Sequence, residues 1–193
     1  MGLRTYDQGL MKKAILIALA VLAAVPATFA RADVAPVTLL ISGDSENSGL
    51  HVSLSPDGRD YVILSTAPLE VGGSLCSHPE EAPNELFCKA PSIAGFEVNA
   101  AGGSDVVYFT SDIPVPVTIR GGSGADRLTG GGASDKIVGG PDKDLLTGRR
   151  GDDWILGGPG PDKISGGPGN DQLHGGPDKD ELGGGPGQNE LIP

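Results

Sequence analysis

A nine-residue period constrains this chain more than any other feature. From Gly121 to Ile192 the sequence divides into consecutive nonapeptides without an insertion, and only Pro193 follows. The first position is always Gly, and the second is Gly in every unit except at Arg149. The eighth position is always Leu or Ile, and the sixth is Asp in every unit except the last, which has Asn. A disordered linker has no reason to keep an acid and an aliphatic residue two positions apart through eight units, so the period predicts a repetitive fold.

The units resemble the G-G-x-G-x-D-x-U-x pattern of hemolysin-type (RTX) calcium-binding repeats, where U is a large aliphatic residue. The resemblance covers residues 121–192 and implies a right-handed parallel β-roll, or β-solenoid. In such proteins the first six residues of a unit form a tight turn and the last three form a short parallel strand. Two units complete one coil, so each unit stacks on the next but one. The expected fold is all-β, with calcium-binding turns and with irregular β-rich rungs before the repeats.

The resemblance also implies a set of Ca²⁺ ligands, because this hard cation prefers about six to eight oxygen atoms from carboxylates and carbonyls. The position-six side chains are expected to form two columns that hold up to about six ions. One column carries Asp126, Asp144, Asp162 and Asp180, and the other carries Asp135, Asp153, Asp171 and Asn189. Asp142 and Asp178, which replace Gly at position four, are further candidate ligands. An interpretation of these residues as turn formers alone explains one or two positions and not an unbroken column.

Without the cation, the columns are unfavourable. Two carboxylates about 5 Å apart repel by roughly 3 kcal/mol at an effective dielectric constant of about 20. We therefore expect the repeats to be disordered without Ca²⁺ and to fold when they bind it.

Departures from the repeat pattern predict where the array is weakest. Ala133 stands at position four, where a left-handed conformation would strain it. Arg149 and Arg150 add positive charge to the unit at 148–156, which we expect to be the poorest binder. Asn189 offers a neutral oxygen and is expected to weaken the last site, as a terminal cap would.

The N-terminus has the pattern of a signal peptide. Lys12 and Lys13 precede an uncharged apolar run at 14–25, and Ala30 and Ala32 provide the small residues of a cleavage site. We predict a signal peptide at 1–32 that is cleaved after Ala32, with Ala30 as the alternative. The apolar run is too short to span a membrane, which requires about 20 residues. The protein is therefore expected to be secreted, without a membrane span.

Charge and cysteine content fit export. The net charge is −11, and removal of the leader takes away four basic residues and one acid, so the remainder is more acidic still. Such a chain repels nucleic acid and attracts cations, so calcium ions are the expected partners. Cys76 and Cys88 are the only cysteines, and in an exported protein they predict one disulfide, with two free thiols as the alternative.

Residues 33–120 form a β-rich N-terminal region that precedes the repeats at 121–193. Strand-like runs at 37–42, 50–54 and 61–65 are expected, with a hairpin turn at Pro56-Asp57-Gly58. Residues 95–120 are expected to continue the solenoid as irregular rungs, with Asp105 as a candidate ligand. The stretch 66–94 is expected to be a loop that the disulfide holds and that protects the solenoid end.

No catalytic constellation is recognised, because the histidines His51, His78 and His174 are isolated and no serine lies in a nucleophile-elbow motif. The leading interpretation is a secreted calcium-binding β-solenoid with a structural or surface-interaction role, and not an enzyme. One alternative is a calcium-dependent adhesin for a glycan or cell-wall partner, served by Trp154 and the Arg149–Arg150 pair. Another is a secreted hydrolase with an unrecognised site in 33–120.

Overall fold

The computed structural model describes residues 15–19, 37–43, 46–66, 69–71, 76–77, 79, 82 and 84–193. It is built almost entirely of strands. The first are β1 (Ile15–Leu19), β2 (Val37–Ser42), β3 (Gly49–Leu54), β4 (Asp60–Ser65), β5 (Leu69–Val71), β6 (Cys76–Ser77), β7 (Glu85–Lys89), β8 (Ile93–Asn99) and β9 (Val106–Phe109), with a 3₁₀ turn at Ala90–Ser92. The others are β10 (Val117–Arg120), β11 (Arg127–Thr129), β12 (Lys136–Val138), β13 (Leu145–Thr147), β14 (Trp154–Leu156), β15 (Lys163–Ser165), β16 (Gln172–His174), β17 (Glu181–Gly183) and β18 (Glu190–Ile192).

The strands form two sheets, which the chain visits alternately from β8 onward. One sheet has the order β18-β16-β14-β12-β10-β8-β2-β1-β5, and the other has the order β17-β15-β13-β11-β9-β3-β4-β7-β6. Within the repeats every strand pairs in parallel with the strand two units away, as Ile137 with Ile155 and Leu146 with Ile164 show. The fold is therefore the all-β parallel solenoid that the resemblance implied, and the stacking of each unit on the next but one is confirmed.

The core of the solenoid is a double row of position-eight side chains between the two sheets. Leu128, Ile137, Leu146, Ile155 and Leu173 are 0% exposed. Positions seven and nine flank each of them in a strand and therefore point outward. The first six units thus each contribute one buried aliphatic side chain, whereas Leu182 is partly buried and the outermost, Leu191, is 45% exposed. Because the strands have only three residues, the six-residue turns between them make up most of each unit.

The region before the repeats extends both sheets. Strands β2, β8 and β10 pair in parallel in one sheet, and β3 and β9 pair in parallel in the other. The predicted strands at 37–42, 50–54 and 61–65 are confirmed, and β3 and β4 form an antiparallel hairpin whose turn includes Gly58 at φ +69°. The rings of Tyr61, Phe96 and Phe109 pack edge to face inside this part of the core.

The prediction of a loop at 66–94 is wrong where β5, β6 and β7 lie, and most clearly in its last part. Strand β7 pairs antiparallel with β4, and Leu86 and Cys88 are fully buried because they alternate with outward side chains. Cys76 lies directly opposite Cys88 in the pairing of β6 with β7, and a disulfide joins them, as predicted. These antiparallel strands lie beyond β3 at the N-terminal end of their sheet.

Strand β1 lies within the predicted signal peptide. It pairs antiparallel with β2 and parallel with β5. Cleavage after Ala32 or Ala30 would remove it, so the cleavage stays a prediction about a chain shorter than this one. Among the described residues there is no helix with the length and apolar character of a transmembrane span.

Candidate metal centre

The turns of the repeats bring glycine backbone against an aspartate side chain. A Cβ atom added to Gly139 would lie 2.2 Å from Oδ2 of Asp144 and 2.8 Å from the carbonyl oxygen of Gly157 in the next coil. Position one is therefore Gly because the space is filled, and not because its φ is unusual. Positions two and four of most turns do have positive φ, for example 115° at Gly158 and 135° at Gly160. The result is a turn compact enough to place the position-six carboxylate beneath it.

The position-six side chains form two continuous ladders of hydrogen bonds. Each Oδ1 accepts the backbone N–H of the position-six residue one coil earlier, at 2.8 Å for Asp144 to Asp126 and 2.8 Å for Asp153 to Asp135. One ladder contains Asp105, Asp126, Asp144, Asp162 and Asp180, and the other contains Asp135, Asp153, Asp171 and Asn189. The structure therefore brings together the residues of each predicted column. It also adds Asp105, which the sequence could place only as a candidate because no complete repeat surrounds it.

In most of these aspartates the second carboxylate oxygen, Oδ2, lacks a hydrogen-bond donor within the described part of the chain. Oδ2 is buried and has no hydrogen-bond partner, among the residues that the structure describes, in Asp126, Asp144, Asp153, Asp162, Asp171 and Asp180. Asp135 differs because its Oδ2 accepts the N–H of Gly131 at 2.6 Å. A buried carboxylate oxygen without a donor is costly. The six unpaired oxygens therefore indicate that a cation belongs beside them.

The raised pKa values of the position-six aspartates reflect the same cost of burying a charged carboxylate. Burial raises the pKa of Asp144 and of Asp153 to about 7, although a backbone N–H lowers each and neighbouring carboxylates add to the rise. Burial likewise raises the pKa of Asp135 to about 6, and it raises the pKa values of Asp126, Asp162 and Asp171. Charged carboxylates at these positions require a compensating positive charge.

Backbone carbonyl oxygens provide the other wall of each gap between coils. A Cβ added to Gly158 would lie 2.3 Å from the carbonyl oxygen of Gly140, and one added to Gly160 would lie 2.0 Å from that of Asp142. Carbonyls at positions two and four therefore point at the coil that follows. Within residues 84–193, the carbonyl oxygens of Gly140, Asp142 and Gly158 accept no hydrogen bond.

Comparison with known families agrees with this geometry. A family model described as RTX calcium-binding nonapeptide repeat (4 copies) matches residues 118–146, 147–182 and 156–191. Residues 118–191 are RTX calcium-binding repeats. RTX repeats bind Ca²⁺, and the β-roll of this chain is the corresponding fold. No curated protein and no solved structure matches the chain.

The oxygen atoms of the RTX turns fit calcium. Among the described residues, the oxygens of the columns and of the turn backbone are carboxylates and backbone carbonyls, together with the amide oxygen of Asn189, and such oxygens suit a hard cation. The described residues contain no cluster of three His, Cys, Asp or Glu side chains that would hold a metal alone. A Ca²⁺ ion in these turns would therefore depend on backbone carbonyls as well as on the position-six carboxylates.

Asp142 and Asp178, the candidate ligands at position four, lie in the turns but outside the ladders. Both have positive φ, 85° and 93°, and both are solvent-exposed. The carboxylate of Asp142 accepts the N–H of Gly124 at 3.2 Å, and its charge contributes to the raised pKa of Asp144. Their position therefore adds negative charge at the rim of one turn edge, and their role as direct ligands stays a prediction.

One expectation about departures from the RTX pattern needs correction, and another stays untested. Ala133 is not strained, because its φ is not positive; its turn rests on the irregular segment before β10, where Gly132 donates to the carbonyl of Ile113. Arg149 keeps a positive φ of 89°, but its guanidinium lies over the ring of Tyr108 and donates to the carbonyl of Phe109. That side chain therefore leaves the turn, and the expectation that the unit at 148–156 binds worst stays a prediction.

The remaining candidates do not form a second site among the described residues. His51 contacts the ring of Tyr108, and His174 contacts the ring of Trp154, on the outer faces of different sheets. His78 lies outside the described residues.

Proposed function

We propose that this protein is an exported calcium-binding β-roll that folds when it binds Ca²⁺ and then has a structural or surface-interaction role. The observation that carries the proposal is the set of six buried Oδ2 atoms without a hydrogen-bond donor. Each would cost about 1–3 kcal/mol or more if it stayed unpaired in the folded state. Calcium relieves this cost, so the ion and the fold depend on each other.

The small core supports coupled folding. A nine-residue unit buries at most one aliphatic side chain at position eight, while ordering its backbone costs about 1–2 kcal/mol per residue. Cation binding to the folded state alone adds about 1.4 kcal/mol per site at ten times the dissociation constant. Extracellular calcium modules typically bind at about 10⁻⁴–10⁻³ M. Export into a calcium-rich medium would therefore act as the folding signal.

A calcium titration of the protein tests this proposal. We expect a far-UV circular dichroism spectrum of a disordered repeat region in EDTA and a strong β signal in millimolar Ca²⁺, with Mg²⁺ at the same concentration as the control. Magnesium should be less effective because it requires a more rigid octahedral site. A spectrum that is the same in EDTA and in Ca²⁺ would show that folding does not depend on calcium.

The adhesin alternative depends on side chains that already have partners. The ammonium of Lys136 lies 4.7 Å from the centre of the Trp154 ring, and Arg149 contacts Tyr108. A pull-down from cell envelopes with and without Ca²⁺ distinguishes an adhesin from a structural module. Assays of the protein against polysaccharide and peptide panels address the hydrolase alternative.

A further inference from the structure

One turn before the repeats has the same backbone form as the RTX turns. Ala101 and Gly103 have φ values of 74° and 105°, and Gly122 and Gly124, which occupy positions two and four of the first repeat, have values of 104° and 114°. Strand β9, which follows this turn, pairs in register with β11, so that Val107 lies opposite Leu128. The sequence at 100–105, AAGGSD, lacks the Gly-Gly start, and the family match begins only at residue 118.

The carboxylate of Asp126 lies in the gap between this turn and the first repeat. Its Oδ1 accepts the N–H of Asp105 at 2.8 Å, so the side chain extends from its own coil toward the earlier one. Its Oδ2 is buried and has no hydrogen-bond partner among the described residues, and Asp126 as a whole is 1% exposed. The free oxygen that marks the gaps inside the repeats is thus also present in this gap.

The opposite wall of the gap is formed by carbonyl groups of the earlier turn. A Cβ added to Gly122 would lie 1.9 Å from the carbonyl oxygen of Ala101, and one added to Gly124 would lie 1.9 Å from that of Gly103. The same relation holds inside the repeats, where a Cβ on Gly140 would lie 1.9 Å from the carbonyl oxygen of Gly122. The Ala101 carbonyl also accepts a long hydrogen bond of 3.2 Å from the N–H of Ser123. The gap therefore has the same kinds of oxygen as the gaps in the repeats, a buried carboxylate oxygen and two facing carbonyls, although the Ala101 carbonyl already accepts one hydrogen bond.

The gap between the turns of Asp171 and Asn189, at the C-terminal end of the other edge, differs from the gap at Asp126. Oδ1 of Asn189 accepts the N–H of Asp171, and its Nδ2 donates to the carbonyl of Gly185, each at 2.9 Å. The amide nitrogen of Asn189 therefore occupies the position that an unpaired carboxylate oxygen has in the other units. It donates to the carbonyl at position two of its own turn. This gap therefore has no unpaired carboxylate oxygen among the described residues, and the carbonyl oxygens of Gly167 and Gly169 that face it are neutral, so the gap does not need a cation.

We propose that the calcium array of this chain begins one coil before its repeats, with a site between the turns 100–105 and 121–126, and that the gap at Asn189 holds no ion. The unpaired Oδ2 atoms then place four sites on the edge of Asp126, Asp144, Asp162 and Asp180 and two on the edge of Asp153 and Asp171. The proposal rests on the proposed calcium function and assigns its sites. It differs from the distribution that the repeats alone predict, which has three sites on each edge.

Native mass spectrometry of the full chain at saturating Ca²⁺ tests both ends of the array. We expect about six ions for the unmodified chain. Ala101→Val places a β-branched residue at a positive φ and should distort the first turn, which leaves about five ions. Ala125→Val is the matched control, because Ala125 is exposed in the neighbouring turn at a φ that is not positive, and it should keep six. Asn189→Asp replaces the amide nitrogen by a carboxylate oxygen and should add a seventh ion.

The outcomes separate the two proposals. If the unmodified chain binds no calcium, the proposed function itself is wrong. If that chain binds calcium but Ala101→Val still holds as many ions, there is no site before the repeats. If Asn189→Asp leaves the number unchanged, the proposed end of the array at Asn189 is wrong. Circular dichroism in Ca²⁺ shows that each variant is folded, and the Asn189→Asp result stands even where Ala101→Val does not fold.

Discussion

Coupling between calcium and folding can be measured through a core substitution far from the carboxylates. Leu146→Ala removes a side chain that is 0% exposed, and such a truncation costs about 2–5 kcal/mol because it leaves a cavity as well as losing buried apolar surface. Leu145→Ala is a matched control in the same strand, since Leu145 points outward and is 40% exposed. We expect the control to change stability by about 0.5 kcal/mol or less.

The number of coupled sites sets how far the calcium midpoint moves. Above the dissociation constant, each tenfold rise in free Ca²⁺ adds about 1.4 kcal/mol per site that is filled only in the folded state. Six such sites add about 8 kcal/mol, so about 2.3-fold more calcium restores a loss of about 3 kcal/mol. If only one site were coupled to folding, the same loss would require on the order of 100-fold more calcium.

Two measurements on Leu146→Ala therefore determine the number of sites. Urea denaturation at saturating Ca²⁺ gives the change in the free energy of unfolding, and a circular dichroism titration gives the shift in the calcium midpoint. Their ratio should correspond to about six sites. The reasoning is refuted if urea shows the expected loss while the calcium midpoint of Leu146→Ala equals that of Leu145→Ala.

Three further predictions follow from the same residues. In EDTA, the stability of the folded repeats should decrease as the pH rises from about 4 to about 7. The folded-state pKa values of Asp144 and Asp153 are raised to about 7, above the ordinary value of about 3.9, so the folded state binds more protons than the unfolded state in this window. Circular dichroism in EDTA should then show more β structure near pH 4 than at pH 7.5, and equal spectra would contradict this. Ala101→Gly should stabilise the calcium-loaded protein by about 1 kcal/mol, since Gly adopts a φ of 74° without the cost that Ala has there, and a lower midpoint in urea would count against it. Mass spectrometry of the exported protein should find a chain that begins at Asp33 or, for the alternative cleavage, at Arg31, and an intact leader with β1 would contradict the predicted signal peptide.

Much of this fold could be predicted from the sequence because the repeat is local and regular. The nine-residue spacing and the resemblance to RTX repeats together paired Asp126 with Asp144 in one column, and the structure agrees. The strand β7 was missed because its segment is rich in proline and acidic residues and its longest pairing is with distant β4. Asp105 was uncertain because the chain between β9 and the first repeat departs from the nine-residue spacing.

The distribution of sites along the columns depended on contacts that a repeat pattern does not contain. Asp135 and Asp153 occupy the same position of their units, yet only Asp153 has an unpaired Oδ2. The difference arises in the coil beneath each turn. The turn of Asp135 rests on the irregular segment around Ile113, which turns the N–H of Gly131 toward the carboxylate, whereas the turn of Asp153 rests on another nonapeptide. A carboxylate is thus available for calcium only where its own turn has positive φ at positions two and four. The turn of Asp126 in the first repeat meets this condition, as does the turn of Asp153.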